Sequence, residues 1–173
     1  MDCTYRKAQE TVQKYRTRNP YELLDAMGAR LHFSDNYAAD GLKGFAAIQK
    51  NAMYVVINAK LDEHEQRIVA GHEGSHLVCH KLEILQAPAR ALRDFTMYTN
   101  NGRLEYEANQ FLADFLVSDE EVLDTVTSGN DGYFSTASKL YLPPELLAFK
   151  LHSMMGRGLP VENPVDLKSN FLC

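Results

Sequence analysis

From Asp62 to about Glu83 the sequence changes its period, and no other feature constrains the fold as tightly. Ile68 and Val69, then His72, His76, Cys79 and Leu82, recur at the spacing of one face of an α-helix. Asp62 followed by Glu65 has the form of an N-cap and capping box, with Asp in the Ser/Thr place. The spacing predicts a helix over about 62–83, roughly 30 Å long at the usual rise per residue. Such a stripe needs a surface to bury it, and the preceding residues offer one. RLHFS (30–34), KGFAAIQK (43–50) and AMYVVIN (52–58) are alternating or β-branched runs, and Lys50-Asn51 reads as a tight hairpin connection. The expected arrangement is a short, mostly antiparallel sheet packed on one long helix.

The remaining segments read as helices. Residues 3–17 are charged and weakly periodic, a surface helix ended before Asn19-Pro20. Pro20 suits the first turn of a second helix, YELLDAMG, with Gly28 as its stop. A looser segment carrying Pro88 leads to the turn signal Asn100-Asn101-Gly102. RLEYEANQFLADFLV (103–117) is then a helix with Leu104, Ala108, Phe111, Leu112 and Phe115 on its buried side. Ser118 with Glu121 caps another short helix, SGNDG (128–132) breaks the chain, and two last helical pieces span 134–141 and 143–155. The fold class is α+β. With 173 residues the chain fits a single domain, 1–173, with a helical C-terminal subregion of about 133–158 and a less ordered tail, 159–173.

Charge narrows the partners. A net charge of -5 argues against nucleic acid, which needs a basic footprint. Arg6, Lys7, Lys14, Arg16 and Arg18 near the start read as a solvated helix face. Cys3, Cys79 and Cys173 are odd in number and scattered, as in a reducing compartment. The sequence shows no apolar run of signal-peptide length, and none near the ~20 residues of a membrane span. A cytoplasmic location is expected.

Three of the six histidines fall four apart in GHEGSHLVCH (71–80). On a helix, residues four apart lie about 40° from each other in projection, one turn up the same face. His72 and His76 can therefore aim two imidazole nitrogens at one point. Glu73, offset by about 100°, can reach a water held there without being a ligand. That is the mechanical content of His-Glu-x-x-His: two zinc ligands and a general base. His80, a further turn along, does not converge with the first two and is expected in a packing or supporting role. A catalytic zinc wants a third protein ligand and an open position. RLEYEANQF offers Glu105 and Glu107. Glu105 shares the inward side of its helix with Ala108, Asn109 and Leu112, while Glu107 points about 200° away, and the competing reading of either is an exposed carboxylate paired with Arg103. Asn109 could hold a ligand histidine by hydrogen bond. Manganese and iron accept similar ligands.

With these pieces in place, the chain resembles the ImmA/IrrE family of zinc metallopeptidases, which is gluzincin-like. NPYELLDAMGARLHF is similar to the family's leading helix and first strand, and YVVINAKLDEHEQRIVAGHEGSHLVCH to its strand and long metal-binding helix. RLEYEANQFLADFLVSDEEV is similar to its Glu-x-x-Ala-Asn-x-Phe-Ala segment. The resemblance implies a small zincin-like domain holding one Zn2+ ion, with His72, His76 and Glu105 as ligands and Glu73 as catalytic base. It implies a protein substrate, a helix-turn-helix transcriptional repressor encoded beside the gene on a phage or mobile element. Gly74 stands where the family usually has a bulky aliphatic residue, Ser75 where glycine is common, and the family's Met-Pro after the third-ligand helix is missing.

The strand AMYVVIN, as an exposed edge, would align a peptide by strand addition. Tyr54, Tyr98, Tyr106 and His152 are all conceivable oxyanion donors, and the sequence chooses none. Two readings compete with a peptidase. SKLYLPPELLAFKLHSM could be a DNA-reading helical pair, although only Lys139, Lys150 and Arg157 supply positive charge there. A metal-binding regulator without turnover would keep the ligands, but it has no use for Glu73.

Overall fold

A computed structural model describes residues 3–87, 102–127 and 132–162, together with the backbone of 91–94. The chain divides into two compact units, residues 15–97 and residues 1–14 with 98–173. The Pro88 segment, Asn100-Asn101, Tyr98, most of SGNDG and the tail beyond 162 lie outside the described residues.

In the first unit, Asn19 caps α2 (Pro20–Ala26), its side chain accepting a hydrogen bond from the Tyr21 amide. Gly28, at a φ of 72°, turns the chain into β1 (Arg30–Ser34). β2 (Gly44–Gln49) and β3 (Ala52–Asn58) follow. Lys50 and Asn51 between them both take positive φ, 47° and 62°, the geometry a two-residue hairpin turn requires. The sheet runs β1-β3-β2-β4, where β4 is the four-residue strand Ala91–Asp94. β2 pairs antiparallel with both β3 and β4, whereas β1 runs parallel to β3. The sheet is thus small and mostly antiparallel, as expected.

One expectation about it is overturned. β3 is a central strand, flanked by β1 and β2, so it has no edge to offer a peptide. The described edges are β1 and β4.

The long helix, α3, spans Glu63–Cys79 and packs on β2, β3 and α2. Its Asp62 cap accepts from the Glu65 amide at 2.8 Å. The core between helix and sheet includes Leu24, Ala46, Ile48, Val55, Ile57, Val69, Ala70 and Leu77. The helix stops short of the predicted residue 83. His80 leaves helical geometry (φ -124°, ψ 30°), and α4 (Lys81–Gln86) starts after it. A continuous helix would carry Leu82 on the buried face. The break turns Leu82 outward, 70% exposed, and buries Ile84 instead.

The second unit is helical. It contains α1 (Cys3–Tyr15), α5 (Arg103–Leu116), α6 (Asp119–Thr127), α7 (Tyr133–Lys139) and α8 (Pro144–Gly156). Ala108, Phe111, Leu112 and Phe115 are buried on α5, which packs against α8. Ser118 and Glu121 form a reciprocal capping box ahead of α6. Together the two units give the α+β class expected from sequence.

Lys150 on α8 has no exposed surface and pairs with Asp114 at 3.1 Å and Asp119 at 2.8 Å. Arg157 forks onto both oxygens of Asp119, at 2.6 and 2.8 Å. Asp114 also accepts from Ser153 Oγ (2.7 Å) and Gln110 Nε2 (3.2 Å). Two of the three cations that the DNA-reading alternative needs are therefore held inside this unit.

Candidate metal centre

The turn that launches α3 is pinned before the helix begins. Asn58, buried at the end of β3, donates to the carbonyls of Ala38 and Leu42 and accepts from the Lys60 amide. Gln66 reaches back to the carbonyls of Ala59 and Leu61. These bonds fix where the helix starts and hence which face turns toward the sheet.

Glycine sets how closely the helix approaches. A Cβ on Gly44 would lie 2.5 Å from Val69 Cγ1, 3.0 Å from the Val56 carbonyl and 3.4 Å from Glu73 Cγ. A side chain there would push α3 off β2 at the level of Glu73. Gly74 faces α2, where a Cβ would meet Leu24 Cδ2 at 3.4 Å. A bulky aliphatic residue there would have Leu24 to displace, so Gly74 suits this particular α2–α3 packing. Ser75 donates to the Gly71 carbonyl at 2.7 Å, which satisfies its buried hydroxyl within the helix.

His72, Glu73, His76 and His80 are all buried. His72 Nε2 and His76 Nε2 stand 3.2 Å apart, their rings edge to face at 82° with centroids separated by 4.8 Å. Two nitrogens bound to one tetrahedral zinc at the usual bond length lie about 3.3 Å apart. The imidazole pair fits a shared cation in spacing. His80 contacts the far side of His76, Nδ1 to Nδ1, at 3.0 Å. It does not converge on the His72–His76 pair, in line with the helical geometry of the sequence.

On α5, Glu105 lies in the first turn and is partly buried. Glu107 pairs with Arg103 at 3.5 Å on the outer side of the helix. Asn109 is buried, as its inward position predicts. His72 and His76 on α3, and Glu105 on α5, each carry a ligand atom of a kind that divalent cations take.

Among the conceivable oxyanion donors, Tyr54 accepts from Arg30 Nη1 at 3.3 Å. Tyr106 packs edge-on against Phe149, and His152 is exposed on α8. What the sequence reasoning missed is the nitrogen-to-nitrogen contact of His80 with His76. The i, i+4 spacing was the available signal, but it reports a shared face and not which ring atoms meet.

The family model described as the IrrE N-terminal-like domain, Peptidase_M78, matches residues 24–152. A curated relative, an uncharacterized immunity region protein 2 of Bacillus phage phi105, is 29% identical over 116 residues. That alignment covers 64% of this chain and 66% of the relative, so the chain spans just under two thirds of the relative's length. No solved structure matches.

Proposed function

The chain belongs to the Peptidase_M78 family, and from that premise we propose that it is a zinc-dependent endopeptidase. His72, His76 and Glu105 hold the cation, and Glu73 is the general base. The observation that carries this reading is the buried imidazole pair, with Nε2 atoms 3.2 Å apart on the same stretch of α3 as Glu73. When bound, the cation supplies Lewis acidity, lowering the pKa of water and polarising a carbonyl oxygen. Glu73 takes the proton of the attacking water and delivers it to the leaving amine nitrogen as the peptide bond breaks. Strand addition, the docking mode expected of β3, falls to β1 or β4 instead.

The substrate in this reading is a transcriptional repressor of the helix-turn-helix type, encoded on the same phage or mobile element. The phage relative, whose name places it in an immunity region, supports that context. The reaction belongs in the cytoplasm, with neither membrane nor nucleic acid as partner. Among the described residues, no helix is long and apolar enough to cross a membrane.

The test is a digest of the adjacent repressor by the parent and by Glu73→Gln, each with its zinc content measured. The variant is expected to keep stoichiometric zinc and to cut at least about 100-fold more slowly, the lower end of what a general base contributes. Equal cutting by the two proteins overturns the assigned mechanism. A parent that holds zinc and leaves the repressor intact favours the regulator reading instead.

A further inference from the structure

His80 meets His76 at the one ring nitrogen that the ligand role leaves over. His76 Nε2 faces His72, whereas His76 Nδ1 lies 3.0 Å from His80 Nδ1, with the two rings tilted by 49°. Between two neutral imidazoles at that separation only one proton fits, so the tautomers of the pair are tied together. With the proton on His76 Nδ1, His80 accepts it and carries its own hydrogen on Nε2. His76 Nε2 then presents a lone pair. With the proton on His80 Nδ1, the His76 hydrogen must sit on Nε2, where it points at His72 and blocks a cation.

We propose that His80 is a positioning residue, whose Nδ1 accepts from His76 Nδ1–H and so holds His76 in the tautomer that can ligate. This rests on the metal-site reading above. Ligating histidines need such an acceptor to fix ring orientation, and a carboxylate or carbonyl is the usual one. Here the acceptor is an imidazole nitrogen, which orients His76 without the added basicity a carboxylate confers. The helix break puts it there. His80 caps α3, and its backbone amide bonds to the His76 carbonyl at 2.8 Å. Main chain and side chain thus tie His80 to the same residue.

The experiment is a zinc competition titration against a chromophoric chelator, using the parent, His80→Leu, His80→Asn and His76→Ala, with thermal unfolding of each metal-free protein. Leucine fills the space without an acceptor, and asparagine restores one. His80→Leu is expected to bind zinc about 10–100-fold more weakly, with most of that loss recovered in His80→Asn. Nitrogen-15 histidine spectra of the zinc-loaded parent are expected to show His76 protonated at Nδ1 and His80 at Nε2. Parent-like affinity in His80→Leu, an asparagine variant as weak as the leucine one, or a proton on His80 Nδ1 overturns the proposal. If His80→Leu does not fold, the parent spectra decide. A parent that takes up no zinc, or a His76→Ala that binds it equally well, overturns the metal reading itself and this inference with it.

Discussion

Two glutamates two residues apart on α5 have different surroundings, and the difference decides which to expect at a cation. Glu107, itself partly buried, is engaged in an i, i+4 pair with the largely exposed Arg103, a kind of contact worth at most about 0.5 kcal/mol. Glu105, in the first turn and partly buried, is on the side of α5 that leads to Ala108, Asn109 and Leu112. Glu107→Gln is therefore expected to leave zinc affinity and stability near parental values. Glu105→Gln is expected to weaken zinc by more than the roughly 10–100-fold that loss of a ligand's hydrogen-bond partner costs. The chelator titration reads both. Zinc lost from Glu107→Gln and kept by Glu105→Gln would reverse the assignment. The rotation of 100° per residue is what the sequence supplies for this choice, because both carboxylates share one regular helix. The nitrogen-to-nitrogen contact of His80 with His76 was not legible, since it depends on where His80 leaves the helix.

At the scale of elements, α3 owes its seat to two glycines with opposite tolerances. A methyl group on Gly74 meets Leu24 at ordinary contact distance and removes the helix penalty of glycine. Gly74→Ala is expected to raise unfolding stability by about 0.5–1 kcal/mol, read as a higher urea midpoint. Gly44→Ala forces its methyl into the stiff Val69 side chain and the Val56 backbone. It is expected to cost roughly 1–3 kcal/mol by overpacking and to slow proteolysis, because the displaced turn carries Glu73. A Gly44→Ala protein with parental stability and rate would show that α3 can slide on the sheet. Most elements were legible because their signals are local: the Asp62 cap, the Lys50-Asn51 turn, Pro20 at a helix start and the Ser118–Glu121 box. β4 was missed because Ala-Leu-Arg-Asp is too short to show a period, and the edge reading of β3 failed because no local signal announces its parallel pairing with β1. The Leu82 error has the same origin in reverse. A periodic pattern continued past the point where His80 had already changed the axis.

At the scale of the whole molecule, the least legible feature is the ion network of the helical unit, whose members come from opposite ends of the chain. Tyr5 on α1 donates to Asp119 and lies under the Arg157 guanidinium at 3.5 Å, while Gln9 bonds to the Asp114 carbonyl. No local pattern announces such a cluster, and the charged helix at the start read only as a solvated face. The network makes stability depend on acid. Burial works against an ionised Asp119, but hydrogen bonds and charge from Arg157 and Lys150 outweigh it and hold the carboxyl well below the usual range. Its folded pKa lies below the unfolded value of about 3.9. Its stabilisation is therefore fully present above about pH 4 and is lost as pH falls through the folded pKa. Burial pushes the Asp114 carboxyl up against the pull of Lys150, Ser153 and Gln110, so its contribution has the opposite sign and improves on acidification. Asp119→Asn separates the two. It leaves the buried Lys150 and the partly buried Arg157 facing one carboxylate and is expected to lower stability by roughly 3 kcal/mol near neutrality. The gap between parent and variant should hold from pH 8 to 5 and close below about pH 4, as the parent loses what the variant already lacks. Hydrogen exchange of the α5 and α8 amides, corrected for the intrinsic rate, measures that gap within the helical unit. A gap as wide at pH 3 as at pH 7 would mean that the ionised Asp119 carboxylate is not what holds Lys150 and Arg157 in place.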